Sequence, residues 1–309
     1  MIQKQENILI TIVGPTAIGK TALSLTLANH FNSDIISSDS RQFFKEMKIG
    51  TAVPEEQELA AATHHFIQDR SIFNNYNVGK FEKDSLEKLT ELFTKNPVQV
   101  MVGGSGLYVD AVLHGLDYFP EVDKSIRTTL TSELKTKGII SLQKKLKELD
   151  QETYENIEID NPNRIMRALE ICIGTNLPYS SFKNKPKKKR NFISIKIGLT
   201  AERNLIYDRI NKRVDIMIAN GLIEEAKLLH KHKSLNALQT VGYKELFEYF
   251  EGKTSKEFAI SEIKKNTRRF AKRQLTWFKK DEKTKWFDYN TAPNIIINYI
   301  ADSIKNNKN

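Results

Sequence analysis

Gly14-Pro15-Thr16-Ala17-Ile18-Gly19-Lys20-Thr21 matches G-x-x-x-x-G-K-[ST] at every fixed position. The flanking residues supply the context that this pattern needs. Residues 7–13 (N-I-L-I-T-I-V) are a short apolar, β-branched run, as a buried parallel strand requires. Residues 21–31 then place Leu23, Leu27 and Phe31 on one helical face. Strand, glycine loop and helix start in that order make an anion cradle. The glycines let backbone N–H groups curl around phosphate oxygens with no Cβ in the way. The helix start adds its dipole and unpaired N–H groups. Lys20 contributes a point charge, and Thr21 a hydroxyl suited to Mg²⁺. The stretch predicts a di- or triphosphate ligand; its plainer alternative is a glycine turn that binds nothing.

The chain of 309 residues suits two domains, or one domain with a large insertion. Mean hydropathy is −0.46, and no apolar run approaches the roughly 20 residues of a membrane span. The polar start M-I-Q-K-Q-E-N predicts no signal peptide. The single cysteine, Cys172, excludes an intramolecular disulfide and suits a reducing cytoplasm. Within R-A-L-E-I-C-I it reads as a small buried apolar residue. The six histidines show no metal-binding spacing, so no zinc is expected.

Lys and Arg number 48 against 38 Asp and Glu, a net charge of +10. The excess is concentrated in residues 183–190 (K-N-K-P-K-K-K-R) and 264–285. A single basic block is ordinarily a solvated surface. Two of them on a phosphate-binding chain point to nucleic acid.

A second strand over residues 33–37 leads into Ser38-Asp39-Ser40-Arg41-Gln42. Ligands of parallel α/β sheets sit beyond the carboxyl ends of the strands, so Asp39 and the glycine loop can share a cleft. A carboxylate there can bind Mg²⁺ or accept a proton; a helix N-cap is an equal alternative. Helices are predicted over 55–62 and 78–94, with a short strand at 64–67. Residues 98–102 form another buried strand running into Gly103-Gly104-Ser105-Gly106, which opens a helix to His114. That turn offers N–H groups to an anion, or simply packs strand against helix. From Tyr118 the sequence becomes helical and charged, with helices at 124–137, 141–148 and 164–173. Arg164 and Arg167 share a face there, fit for phosphate contacts or for surface ion pairs. A strand at 192–199 resumes the sheet. Helices follow at 203–220, which carries Arg209 and Arg213 one turn apart, at 223–230, and through 261–278. The last residues, K-N-N-K-N, are expected to be disordered.

Taken together, the segments resemble the tRNA dimethylallyltransferase (tRNA isopentenyltransferase) family. They are G-P-T-A-I-G-K-T at Gly14, D-S-R-Q at Asp39, I-G-T-A at Ile49, H-H-F at His64 and G-G-S-G-L-Y at Gly103. N-R-I-M-R-A-L-E at Asn163, T-V-G-Y-K-E-L at Thr240 and T-R-R-F-A-K-R-Q-L-T-W-F at Thr267 complete the set, in the family's order. The resemblance implies an α/β fold: a P-loop nucleotide-kinase-like parallel-sheet core with an inserted all-helical domain. Its parts would be residues 1–117, the insertion 118–190 gripping an anticodon stem-loop, and 191–309. It implies transfer of a dimethylallyl group from dimethylallyl diphosphate to the exocyclic amine of adenine 37, in tRNAs reading codons that begin with U. Diphosphate leaves and Mg²⁺ assists; a monomer suffices.

By the same resemblance, residues Gly14 to Thr21 hold the diphosphate and Thr21 the metal. Asp39 is the general base, Thr16 helps to place the amine, and Arg213 steadies the diphosphate. The tRNA contacts carried over are Asp39, Ser40, Arg41, Gln42, Ser105, Arg127 and the run Asn163, Arg164, Ile165, Met166, Arg167. The adenine would leave its stack and enter a channel between the domains, which a single-stranded loop makes inexpensive. Ser105, Phe44 and Val53 stand where the family often has Thr, Tyr and Lys. No zinc-finger tail like that of eukaryotic members is expected, and the resemblance points to a bacterial-type enzyme. Rival readings are a P-loop nucleoside or small-molecule kinase, a non-catalytic RNA-binding ATPase, and an adenylate dimethylallyltransferase.

Overall fold

The computed structural model describes residues 6–185 and 189–306. Residues 186–188 of the first basic block and the last three of the tail lie outside the described residues. The chain divides into two compact units, Met1–His114 with Arg190–Asn309, and Gly115–Lys189.

The larger unit opens with β1 (Ile8–Val13), α1 (Lys20–Phe31), β2 (Ile35–Ser37), α2 (Glu56–Ala61), β3 (His64–His65), α3 (Val78–Lys95), β4 (Val98–Val102) and α4 (Gly106–His114). The smaller unit is α5 (Lys124–Lys137), α6 (Ile139–Leu149), α7 (Gln151–Asn156) and α8 (Pro162–Thr175). The larger resumes with β5 (Ile193–Thr200), α9 (Arg203–Ala219), α10 (Leu222–Leu229), α11 (Tyr243–Phe250), α12 (Lys256–Phe278), β6 (Lys285–Asp288) and α13 (Pro293–Asn306). Short α7, edge strand β6 and α13 are additions to the sequence reading. Lys305 and Asn306, expected to be disordered, complete α13.

The sheet is parallel, in the order β3-β2-β4-β1-β5-β6. Its register decides where the chemistry can be. Ile12 pairs with Val102 and Val102 with Ser37, so β1, β4 and β2 end side by side. The glycine loop, the Gly103 turn and the Asp39 turn therefore emerge next to one another. Successive β1 residues feed opposite cores. Ile8, Ile10 and Ile12 pack with Leu27, Ile210 and Ile300, whereas Leu9 and Val13 pack with Phe81, Leu89 and Val112. Each such fully buried aliphatic side chain contributes about 1.5–3 kcal/mol.

In the smaller unit, Leu130, Leu142, Leu146, Ile165 and Leu169 form a core of their own, which also buries Cys172. Asn161 caps α8, its side chain accepting from the Asn163 and Arg164 amides.

Candidate active site

The glycine loop is held open by backbone geometry. Gly14 has φ +148°, and a Cβ on it would meet the Leu199 carbonyl oxygen at 2.6 Å. Gly19, at φ +109°, turns the chain into α1. Lys20 Nζ lies inside the curl and donates to the Gly14 and Pro15 carbonyls at 3.0 and 2.8 Å. Desolvation pushes its ammonium down to about 8, with Arg213 adding to the effect and Asp39 opposing it.

Two arginines of α9 close the loop's outer side. Arg209 Nε donates to the Ala17 carbonyl at 2.7 Å, and Arg213 Nη1 to Thr16 Oγ1 at 3.3 Å. Burial, together with Arg209 alongside, lowers the pKa of Arg213, while Asp39 works against that shift.

Asp39 does not cap a helix. Its Oδ1 accepts from the Arg41 amide at 3.1 Å in a turn, and no helix follows. This shapes the turn and leaves the carboxylate within the fields of Lys20, Arg41 and Arg213. The Gly103 turn packs against it, where a Cβ would strike Ser38 Oγ at 2.1 Å. Ser105 Oγ accepts from the Ser40 amide and donates to Ser40 Oγ, both at 3.0 Å.

Two cavities meet at these groups. One, of about 940 Å³, is lined by Thr16 to Thr21 of the glycine loop, with Arg209 and Val53. The other, of about 390 Å³, has a largely apolar wall that includes Val214, Val241, Ile263 and Trp277. Thr16, Asp39, Arg213 and Gln274 line both. Every lining residue of either cavity belongs to the larger unit, so the chamber lies within that unit alone.

Gln274 had no role in the sequence reading. It is 5% exposed on α12; its Oε1 accepts from the Thr16 amide at 2.9 Å, and its Nε2 donates to the Gly104 carbonyl at 2.8 Å. It thus ties the two glycine turns together. The only trace in sequence is the Q of A-K-R-Q, with nothing to say which way it points.

Another device, a clamp on residues 48–52, also escaped sequence reasoning. The Glu225 carboxylate accepts from the Lys48, Ile49 and Gly50 amides at 2.8–2.9 Å and from the Tyr243 hydroxyl at 2.7 Å. Gln42 Nε2 donates to the Thr51 and Ala52 carbonyls at 3.2 and 2.9 Å. Thr51 and Ala52 line both cavities.

Several residues expected to contact tRNA also make contacts within the chain. The Gln42 side-chain amide is committed to this clamp, and Arg41 Nη1 donates to the Asn236 and Ala237 carbonyls. Ile165 and Met166 are 0% and 6% exposed in the core of the smaller unit, so their side chains have little or no surface to offer. Phe44 is likewise buried.

In the smaller unit, Arg127, Asn163, Arg164 and Arg167 are exposed. Arg127 and Arg167 share the buried Glu170 carboxylate at 2.6 and 3.3 Å, and Arg164 pairs with Glu158 at 3.4 Å. Ion pairing and phosphate binding are compatible for the first two, because two guanidiniums against one carboxylate leave a net positive charge.

Among the described residues no group of three or more His, Cys, Asp or Glu could hold a metal ion. What the chain offers near the cradle is the Thr21 hydroxyl. That suits a cation carried mainly by phosphate oxygens and water.

The IPP transferase family model matches residues 42–281. The chain is 63% identical over 298 residues to a tRNA dimethylallyltransferase of Christiangramia forsetii, covering 96% of this chain and 99% of that protein. It is 59% identical over 303 residues to one of Flavobacterium johnsoniae, covering 96% and 98%. The crystal structure of the tRNA isopentenylpyrophosphate transferase of Bacillus halodurans is similar at a TM-score of 0.73 and 36% identity, over 98% of each chain. A eukaryotic dimethylallyltransferase acting on tRNA is similar at a TM-score of 0.81 and 25% identity, over 97% of this chain and 80% of that one.

Proposed function

The chain belongs to the IPP transferase family, and from that premise we propose that it transfers a dimethylallyl group from dimethylallyl diphosphate to the exocyclic amine of adenine 37 in tRNAs reading codons that begin with U. The products are isopentenyladenosine in tRNA and diphosphate. The carrying observation is the junction: a phosphate cradle and a largely apolar cavity share Thr16, Asp39, Arg213 and Gln274.

The cradle takes the diphosphate. Lys20 and the loop amides bind it, with Arg209 and Arg213 on the α9 side. The apolar cavity takes the adenine, which meets the donor's first carbon at the junction. As the carbon–nitrogen bond forms, the carbon–oxygen bond to diphosphate breaks. The amine proton passes to the Asp39 carboxylate and then to solvent. Negative charge gathers on the leaving diphosphate, where these fixed cations already stand. The Thr21 hydroxyl would help to hold Mg²⁺ beside the diphosphate, and the ion would supply further neutralisation of that charge.

Exposed Arg127, Arg164 and Arg167 serve RNA phosphates, consistent with the net charge of +10. One chain lines both cavities, so a monomer suffices for the chemistry. No helix among the described residues is long and apolar enough to cross a membrane, and a cytoplasmic site of action fits a tRNA substrate.

The test is transfer of label from radioactive dimethylallyl diphosphate to tRNA lacking the modification, with ATP in a parallel tube. Label mapped to the adenine beside the anticodon is expected. ADP without prenylated tRNA would establish a kinase instead, and label on free AMP would establish the adenylate enzyme.

A further inference from the structure

Helices α9 and α12 frame the junction with the same pattern, read in opposite directions. On α9, Arg213 is followed four residues later by Met217; on α12, Gln274 is preceded four residues earlier by Phe270. Residues four apart share a helix face. Each helix therefore presents a polar group at Thr16 and an apolar group about 6 Å further along its axis. Met217 and Phe270 both line the cradle cavity and the apolar cavity.

Core packing accounts for only part of this pair. Phe270 is 38% exposed, and Met217 is only partly buried at the edge of the cluster around Tyr243. An apolar pair one turn from a cationic cradle fits an amphiphile with its charge at the loop. Four carbons in zigzag span about 4 Å, so a dimethylallyl group fits within that turn. A second isoprene unit would have to pass the pair.

We propose that Met217 and Phe270 are the specificity-determining residues that receive the five-carbon group and set the length of the prenyl chain. This rests on the reading of a prenyl diphosphate donor given above. One missing or extra methylene in an apolar pocket changes discrimination by about 10–200-fold. Removing either side chain should therefore weaken a five-carbon donor and admit a ten-carbon one.

The experiment compares the protein with Met217→Ala, Phe270→Ala and Met217→Phe. It measures transfer from the five- and ten-carbon diphosphates, and binding of their unreactive thiolodiphosphate analogues. Inorganic diphosphate binding serves as a control on the fold, and Phe270, 38% exposed and outside the core clusters, is the substitution that disturbs packing less. The alanine variants should shift the ten- to five-carbon ratio by about tenfold or more. Met217→Phe should lower five-carbon affinity, while inorganic diphosphate binds as before. An unchanged ratio in variants that bind diphosphate normally would overturn the assignment. So would a raised KM for tRNA with no change in donor ratio, which would give the pair to the adenine. If the unsubstituted protein neither binds nor transfers the five-carbon donor, the donor reading itself fails, and this assignment with it.

Discussion

Lys20 illustrates how much one residue's surroundings add to its sequence. Its place in the G-K-T motif announces a phosphate contact; its pKa of about 8 comes from burial in the curl and from Arg213, neither visible in a linear pattern. A depressed lysine is charged below that value and neutral above it. Affinity for the donor should therefore hold up to about pH 8 and then fall, approaching tenfold per pH unit. Lys20→Arg should abolish this inflection. A flat profile from pH 7 to 9.5 in titration calorimetry would remove the ammonium from the donor site. Asp39→Ala should lower single-turnover transfer by about 10²–10⁴-fold, with tRNA binding by gel shift little changed. Near-normal turnover would mean that the base is elsewhere. The strand pattern placed Asp39 at the cleft but left a helix cap equally open; only the absence of a helix after the turn removes the cap. Gln274 was not legible, because nothing in a basic helix singles out one glutamine.

At the scale of elements, the strands carrying the site could be read because their apolar runs are buried on both faces, as in β1 and β4. Strand β6 could not: four residues, half-exposed at the sheet edge, give no such signal. The 48–52 clamp was visible only as separate short motifs. Their physical link is Tyr243 packing onto Gly50, where a Cβ would meet its ring at 2.5 Å. Gly50→Ala should displace this loop, lower stability by about 1–3 kcal/mol and raise the donor KM, because Thr51 and Ala52 line both cavities. Tyr243→Phe should cost about 1–2 kcal/mol through loss of the hydroxyl's bond to Glu225. Urea unfolding of both variants measures this. Unaltered midpoints would show that the loop holds its place without the clamp.

For the whole molecule, the charge of +10 foretold a polyanionic partner, but which cations serve it depended on the fold. Arg41 turns inward to carbonyls, whereas Arg127 and Arg167 stay exposed around Glu170. Arg127→Ala and Arg167→Ala should each weaken tRNA binding and reduce the slope of log affinity against log salt by about one. A slope unaltered in both would mean that these arginines only hold Glu170. The division of labour between the two cavities is tested most directly by a crystal structure with the unreactive thiolodiphosphate analogue of the five-carbon donor. The expected pose has the diphosphate in the Gly14–Thr21 curl and the first carbon at the junction, beside Thr16 and Asp39. An analogue seated with its prenyl group away from Asp39, or outside the curl altogether, would contradict the proposed transfer at this junction.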